Sequence, residues 1–579
     1  MNYIVTITDR SYIQYTHRFI YELHGIGYRG EIIVLTTDAN IYCNAKVVKL
    51  DKMFESKVDS LNDSRWLQFD LLKPDLFKDG DKIIYLDSDV VVLPAFNYNE
   101  MFQKYTFATS ILYHDDVQEY QLLNKILNRE NNISSVKAKY IASPFVFEIN
   151  QKARKFFDLC KIMQQISNQY RRGTLFAFNL ACYSCGFEIE IIPKELCVYT
   201  KDIKDKTVPK NPILIHYGGG DGKELWKADY QDNKNYTGDD KPCKPYEYTS
   251  ETRNGDRYAF QTTEGLGNQI ETCFTYMALI EKYKNVDVIF SFSDRDNANN
   301  TRFYEILTDY YGNRCYSARD GILPIAIRKQ FKGLLTCRKV KVLDIPIIAE
   351  NPIYSHGSEV DRDIDILKKV FTYSDDNIKE MFKILLPLNW KKIRGKKYND
   401  FPEYDIIICN GSKHNLKWIK KRYLRMNEVV DELKDKYKIA CVGHPDEYIH
   451  GTDDYTHLTL EETFDFCNNA KAHIVMDSGL FHFLCAIGKE PIVIFGGTNW
   501  VKNTHIKLSP DGLWGFHHKA IIVRHSECDY QPCQREWVLS DEWDKCRFYQ
   551  CMMFNPEIII KFVLEKLIDK EFQALEGND

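Results

Sequence analysis

Short apolar runs alternate with amphipathic stretches from end to end of the chain, the pattern of α/β layers. Ile32 to Leu35 and Lys82 to Val92 read as strands in the first third. Asp405 to Asn410, Lys438 to Gly443, His473 to Met476 and Pro491 to Phe495 read as strands in the last third. Between the first two of these late strands, Ile419, Tyr423, Met426, Val430, Leu433 and Tyr437 recur at helical steps and predict one face of a helix. Thr459 and Glu462 have the spacing of a capping box opening the next helix. A third helix is predicted from Ser478 to Ile487, ended by Gly488, and an amphipathic helix from Ile558 to Leu567 packs back on the domain. Alternating strand and helix give half of a doubly wound sheet, a fold that binds ligands at the carboxyl ends of its strands. The periodicity lapses at Lys241 to Asp256, which reads as a linker, and at Leu386 to Tyr404, a basic stretch with Pro387, Gly395 and Pro402 that reads as a hinge.

Length and composition narrow the class. The 579 residues correspond to about three or four domains. With 44% hydrophobic and 27% charged residues the chain has the balance of a globular protein, which excludes extensive disorder. No apolar run approaches the ~20 residues a bilayer span requires, and Met1 to Arg10 lacks the plan of a secretory signal. A cytoplasmic location is expected, with the 17 cysteines as thiols by default. Cys528, Cys533, Cys546 and Cys551 form two C-x4-C pairs whose spacing permits structural zinc without requiring it. The net charge of −5 argues against nucleic acid as a partner, although Lys391, Lys392, Arg394, Lys396 and Lys397 form one local basic cluster.

Candidate chemistry lies in two places. In the first third, Asp87-Ser88-Asp89 falls within the run Lys82 to Val92; as a continuous strand this run turns both carboxylates to one face. Paired hard oxygen ligands suit Mn²⁺ or Mg²⁺, which in turn bridges to a diphosphate. Downstream, Ile213 to Trp226 is a strand entering a glycine-rich loop, in which His216 is a candidate imidazole ligand and Lys223 a charge for a leaving phosphate. With Thr6, Thr8, Asp9 and Tyr12 at the start of the chain, these motifs make residues 1 to about 230 resemble glycosyltransferase family 8, the glycogenin-like GT-A fold. The resemblance implies retaining transfer from a nucleotide sugar, typically a UDP-sugar. It also implies a metal held by Asp87, Asp89 and His216, with Thr8, Asp9, Tyr12, Ser88 and Lys223 around the donor. The family's Asp-Gln pair near the sugar is missing: Gly173 to Asn179 contains no acid.

In the last third, Met476 to His482 runs from a strand end into a helix start, where free N–H groups and the helix dipole favour an anion. Asp477 and Ser478 are equally good N-caps, the plainer role for them. Together with Trp418, Lys421 and Arg422, Gly488-Lys489-Glu490-Pro491 and Phe495 to Thr498, this segment makes residues 257 to about 570 resemble glycosyltransferase family 9, the heptosyltransferase-like GT-B fold. The resemblance implies that Asp477, Ser478, Gly479, His482 and Thr498 hold the donor nucleotide and diphosphate, with Lys413 a further candidate for the phosphate. Glu264 to Ile270 stands where the family has its glycine-rich first turn. Members of that family often carry an acid there as general base; this chain has Asn268, whose amide accepts no proton at neutral pH, and Glu264 is the nearby substitute.

The combined expectation is an α/β protein with an N-terminal GT-A domain, residues 1–245, followed by a two-lobed GT-B-like module with an acceptor lobe at 257–390 and a donor-nucleotide lobe at 400–579. Its expected function is bifunctional transfer from nucleotide sugars to a glycan, glycolipid or glycoprotein acceptor, metal-dependent and retaining in the first part, metal-independent and inverting in the second. Two alternatives stand beside it: one half is a carbohydrate-binding or scaffolding domain, or the acceptor is modified nucleic acid.

Overall fold

The computed structural model describes the chain apart from residues 11, 39, 51–75, 113–116, 128–138, 170–173, 185–188, 206–211, 218–223, 225–255, 263–265, 293–301, 320–328, 337–344, 351–367, 369–371, 412–420, 505–519, 525–532, 536–537, 540–549 and 577–579. Most of the expected linker lies outside the described residues, as do Lys223, Glu264, Lys413, Trp418, Cys528 and Cys546. The chain divides into two compact units, Met1–Asn235 with Pro445–His450, and Tyr236–His444 with Gly451–Asp579.

The first unit is built on a seven-stranded sheet. Its strands are β1 (Asn2–Ile7), β2 (Glu31–Thr36), β3 (Lys46–Lys49), β4 (Lys82–Tyr85), β6 (Phe107–Leu112), β7 (Lys139–Glu148) and β8 (Glu190–Ile192), in the order β3-β2-β1-β4-β7-β6-β8. The first four are mutually parallel and β7 runs antiparallel to β4. The central strands are buried on both faces, hence their unbroken apolar runs. Helix α1 (Ile13–Gly25) follows β1, while α2 (Gln151–Gln169) and α3 (Thr174–Ser184) follow β7. Phe145, Phe147, Phe156, Phe157 and Phe178 meet edge-on or tilted in the core between sheet and helices. A second sheet of three short strands has β10 (Leu214–His216) between β5 (Val90–Val92) and β9 (Cys197–Tyr199).

This second sheet corrects the reading of Lys82 to Val92 as one strand. The chain leaves the large sheet after β4 and enters the small one as β5, with Leu86 to Asp89 turning between them. A two-residue alternation of side chains therefore does not explain how Asp87 and Asp89 converge. The apolar run is continuous because both strands are buried, and hydropathy does not register the change of sheet.

The second unit holds two parallel sheets. One has the order β13-β12-β11-β14-β15, from β11 (Arg257–Thr262), β12 (Val286–Phe292), β13 (Cys315–Arg319), β14 (Phe331–Thr336) and β15 (Ile347–Glu350). The other is ordered β18-β17-β16-β19-β20-β21, from β16 (Tyr404–Cys409), β17 (Ile439–Cys441), β18 (Asp453–Asp454), β19 (Ala470–Met476), β20 (Ile492–Phe495) and β21 (Ile521–Arg524). In each, the strand order reverses beside the first strand, between β11 and β14 and between β16 and β19, as in doubly wound sheets. Helix α4 (Leu266–Tyr283) follows β11, and α8 (Gly479–Ala486) follows β19. The Thr459–Glu462 capping box forms as expected at the head of α7 (Leu460–Cys467). Gly488 ends α8 at φ 80°, and α9 (Glu557–Glu576) closes the chain.

Two elements differ from the periodic reading. Helix α6 is only Met426–Leu433, because Tyr423 is drawn out of it by a reciprocal pair of hydrogen bonds with the Asn410 side chain. The stretch read as a hinge carries α5 (Trp390–Arg394) and is anchored. Trp390 is buried among Phe303, Phe464 and Phe483 and donates its indole N–H to Asp465 at 2.7 Å, and Arg394 binds the same carboxylate.

Candidate functional site

In the first unit, Thr8, Asp9 and Asp87 lie at one edge of the sheet, because β1 and β4 are parallel and in register from Asn2↔Lys82 to Val5↔Tyr85. Thr8 is buried and its hydroxyl accepts from Thr16; Asp9 accepts from the Tyr12 N–H ahead of α1. These bonds shape the turn between β1 and α1. Ser88 and Asp89 are buried and Asp87 is partly exposed.

His216 arrives on β10, which pairs antiparallel with β5 so that His216 stands opposite Val90, next to Asp89. Its Nε2 lies 3.4 Å from Asp87 Oδ2 and 3.3 Å from Asp89 Oδ1. The three side chains offer ligand atoms all within 4.8 Å of one another, the only such group of His, Cys, Asp and Glu among the described residues. Two carboxylates and an imidazole fit Mn²⁺ or Mg²⁺ in kind and in number, leaving positions for other oxygens. Burial works against a charge on His216, but the Asp89 and Asp87 carboxylates outweigh it and raise its pKa to about 9.

Sequence reasoning missed what surrounds these ligands. The Tyr85 hydroxyl donates to Asp87 Oδ1 at 2.7 Å, and the Asp87 N–H donates to Ser143 Oγ at 2.8 Å. The Val92 N–H donates to Glu22 on α1, tying β5 to that helix. Only the contacts reveal these roles, since Tyr85 reads in the sequence as one more apolar strand position.

In the second unit, Asp477 and Thr498 follow the adjacent parallel strands β19 and β20 and are both buried. Ser478 occupies the N-cap of α8, yet its hydroxyl makes no capping bond, so the plainer role is not the one it fills. Asp477 is met by Lys421 Nζ at 2.8 Å and by the Asn503 amide at 3.0 Å. Burial alone raises a carboxyl pKa; here the Lys421 ammonium overrides it and the Asp477 pKa is lowered. In the sequence Lys421 is one residue of the Trp418–Arg422 motif, with nothing there to mark this contact. His482 lies on α8 with Nδ1 3.4 Å from Oε1 of Glu271 on α4, both buried. Glu271 stands three residues after Asn268 on α4, and its contact with His482 is not visible in the sequence. Gly267 and Gly479 allow α4 and α8 to approach: a Cβ at Gly479 falls 2.6 Å from Leu266, and one at Gly267 falls 3.1 Å from the His482 ring.

Three of the five residues of the basic cluster pair with acids. Arg394 pairs with Asp465, Lys391 with Asp400 and Lys397 with Asp309. Among the described residues no helix is long and apolar enough to cross a membrane. Cys533 and Cys551 are buried, and their expected partners lie outside the described residues.

No family model and no curated protein matches the chain in sequence. Solved structures similar to parts of it are glycosyltransferases. A family 9 glycosyltransferase from Veillonella parvula is 12% identical, with 55% of this chain and 100% of that one covered and a TM-score of 0.36. The ADP-heptose LPS heptosyltransferase II of E. coli is 12% identical over 55% of this chain and 100% of its own, with a TM-score of 0.34. The galactosyltransferase LgtC, solved in complex with donor and acceptor sugar analogues, is 15% identical over 38% of this chain and 88% of its own, with a TM-score of 0.28.

Proposed function

We propose that the chain is a bifunctional glycosyltransferase, with a metal-dependent, retaining site in the first unit and a metal-independent, inverting site in the second. The observation that carries this reading is the convergence of Asp87, Asp89 and His216 at the carboxyl edge of a sheet, beside the turn that holds Thr8 and Asp9. Asp87, Asp89 and His216 would hold Mn²⁺, which when bound supplies positive charge to the diphosphate of the donor. Thr8, Asp9 and Tyr12 line the same edge and orient the nucleotide. In the second unit the head of α8 offers backbone N–H groups to a diphosphate, and Lys421, held by Asp477, adds a positive charge beside them. Joining two transferases in one chain presents the product of one site to the other at high effective concentration. The donors are nucleotide sugars, a UDP-sugar for the first unit, and the acceptor is a glycan, glycolipid or glycoprotein.

The test is mass spectrometry of donor turnover by the full chain across a panel of nucleotide sugars, with and without Mn²⁺. One Mn²⁺-dependent release of nucleoside diphosphate is expected, which Asp89→Asn abolishes, and a second that survives EDTA. A panel in which no donor is consumed under either condition would overturn the reading.

A further inference from the structure

Metal ligands keep their geometry only when a second ring of contacts holds them. Along β4 the main chain is fixed by the sheet as far as Leu86, whose N–H donates to Val5 O. Asp87 lies beyond that point, in the turn between two sheets. Tyr85 is the last residue of β4 and is buried in the core, so packing fixes its ring and hence its hydroxyl. That hydroxyl donates to Oδ1 of Asp87 at 2.7 Å, while the other oxygen, Oδ2, is the one 3.4 Å from His216 Nε2. From β7, Ser143 Oγ accepts the Asp87 N–H at 2.8 Å.

Resting on the metal reading above, we infer that Tyr85 is a positioning residue that holds Asp87 as a one-oxygen ligand, with Oδ2 turned toward Asp89 and His216, and that Ser143 fixes the main chain beneath it. The phenol donates to Oδ1 and so holds the carboxylate against rotation, favouring Oδ2 as the oxygen offered to the cation. The donor set is then preorganised before any cation arrives. Neither residue touches the cation or the donor. Their effect is on affinity and coordination.

The experiment is isothermal titration of the full chain with MnCl₂ alone, together with the electron paramagnetic resonance line shape of the bound Mn²⁺. Tyr85→Phe removes one hydroxyl and keeps the ring that packs the core; it is expected to weaken Mn²⁺ binding about tenfold and to change the line shape. Ser143→Ala is expected to weaken binding in the same direction and provides the test should Tyr85→Phe fold poorly. Asp89→Asn reports on the metal site itself. If wild type binds Mn²⁺, Asp89→Asn loses it, and both Tyr85→Phe and Ser143→Ala bind as wild type does, the positioning role falls and the metal site stands. If wild type takes up no Mn²⁺, both fall together. A lowered melting temperature of the metal-free variants with unchanged Mn²⁺ affinity would mark the two residues as structural only, and would equally overturn the inference.

Discussion

The carboxylates of Asp89 and Asp87 favour a proton on His216, which a cation bound there would have to displace. With its pKa raised to about 9 by Asp89 and Asp87, the ring is charged at neutral pH in the metal-free protein, and a metal binds only the neutral imidazole. Apparent Mn²⁺ affinity is therefore expected to rise with pH, by up to about tenfold per unit, until it levels near 9. Titration in two buffers of different ionisation enthalpy should show about one proton released per Mn²⁺ at neutral pH; an affinity flat in pH would remove His216 from the ligand set. Without metal the sign reverses. The folded pKa lies above the ordinary histidine value of 6.5, so this group's contribution to stability is complete below 6.5 and is lost as pH rises through about 9. Metal-free and Mn²⁺-loaded protein should thus drift apart in melting temperature as the pH is raised from neutral.

The elements offer sharper tests of stability than of chemistry. Thr459 accepts from the Glu462 N–H while Glu462 reaches back to the Thr459 N–H; Thr459→Ala loses the hydroxyl half of the cap and keeps the backbone N–H that Glu462 accepts from. A loss of about 1 kcal/mol is expected in denaturant unfolding of the second unit. Gly488→Ala combines a left-handed backbone at φ 80° with a Cβ 2.8 Å from the Pro387 side chain, which is backbone strain and a clash at once. It should cost more than the cap, about 2 kcal/mol, by the same measurement; a neutral result would mean that the turn relaxes freely. These were also the features most legible beforehand, because caps and glycine stops are local and their partners lie within one turn in sequence. The late strands were legible too, as continuous apolar runs buried on both faces. The break between β4 and β5 was not legible, since two buried strands in different sheets have the same hydropathy as one long strand. Nor was the early end of the helical pattern at Met426, where Asn410 captures Tyr423 through a contact between distant residues. The candidate ligands Asp87, Asp89 and His216 stand out by residue type, whereas the contacts of Tyr85, Ser143, Glu271 and Lys421 are visible only once strands and helices bring their partners to them.

On the scale of the whole molecule, each unit has its own apolar core, and the proposed function gives each its own site. Asp89→Asn and His482→Ala are therefore expected to leave different incomplete products on the natural acceptor, each lacking one sugar, as judged by mass spectrometry of the glycan. Identical products from the two variants would mean that one unit has no transfer chemistry of its own, or that its reaction must follow the other's. The pairing of β5 with β10 also sets an order in time. Protein synthesis delivers the Asp87–Asp89 turn early, and the strand bearing His216 only when nearly all of the first unit has been made. A nascent chain halted before Leu214 has the two carboxylates without the imidazole, and β5 has its bond to Glu22 of α1 but not its sheet partner β10. On the metal reading, the three-ligand set is complete only once β10 has been made, so chains ended before Leu214 are expected to bind Mn²⁺ more weakly than the full chain.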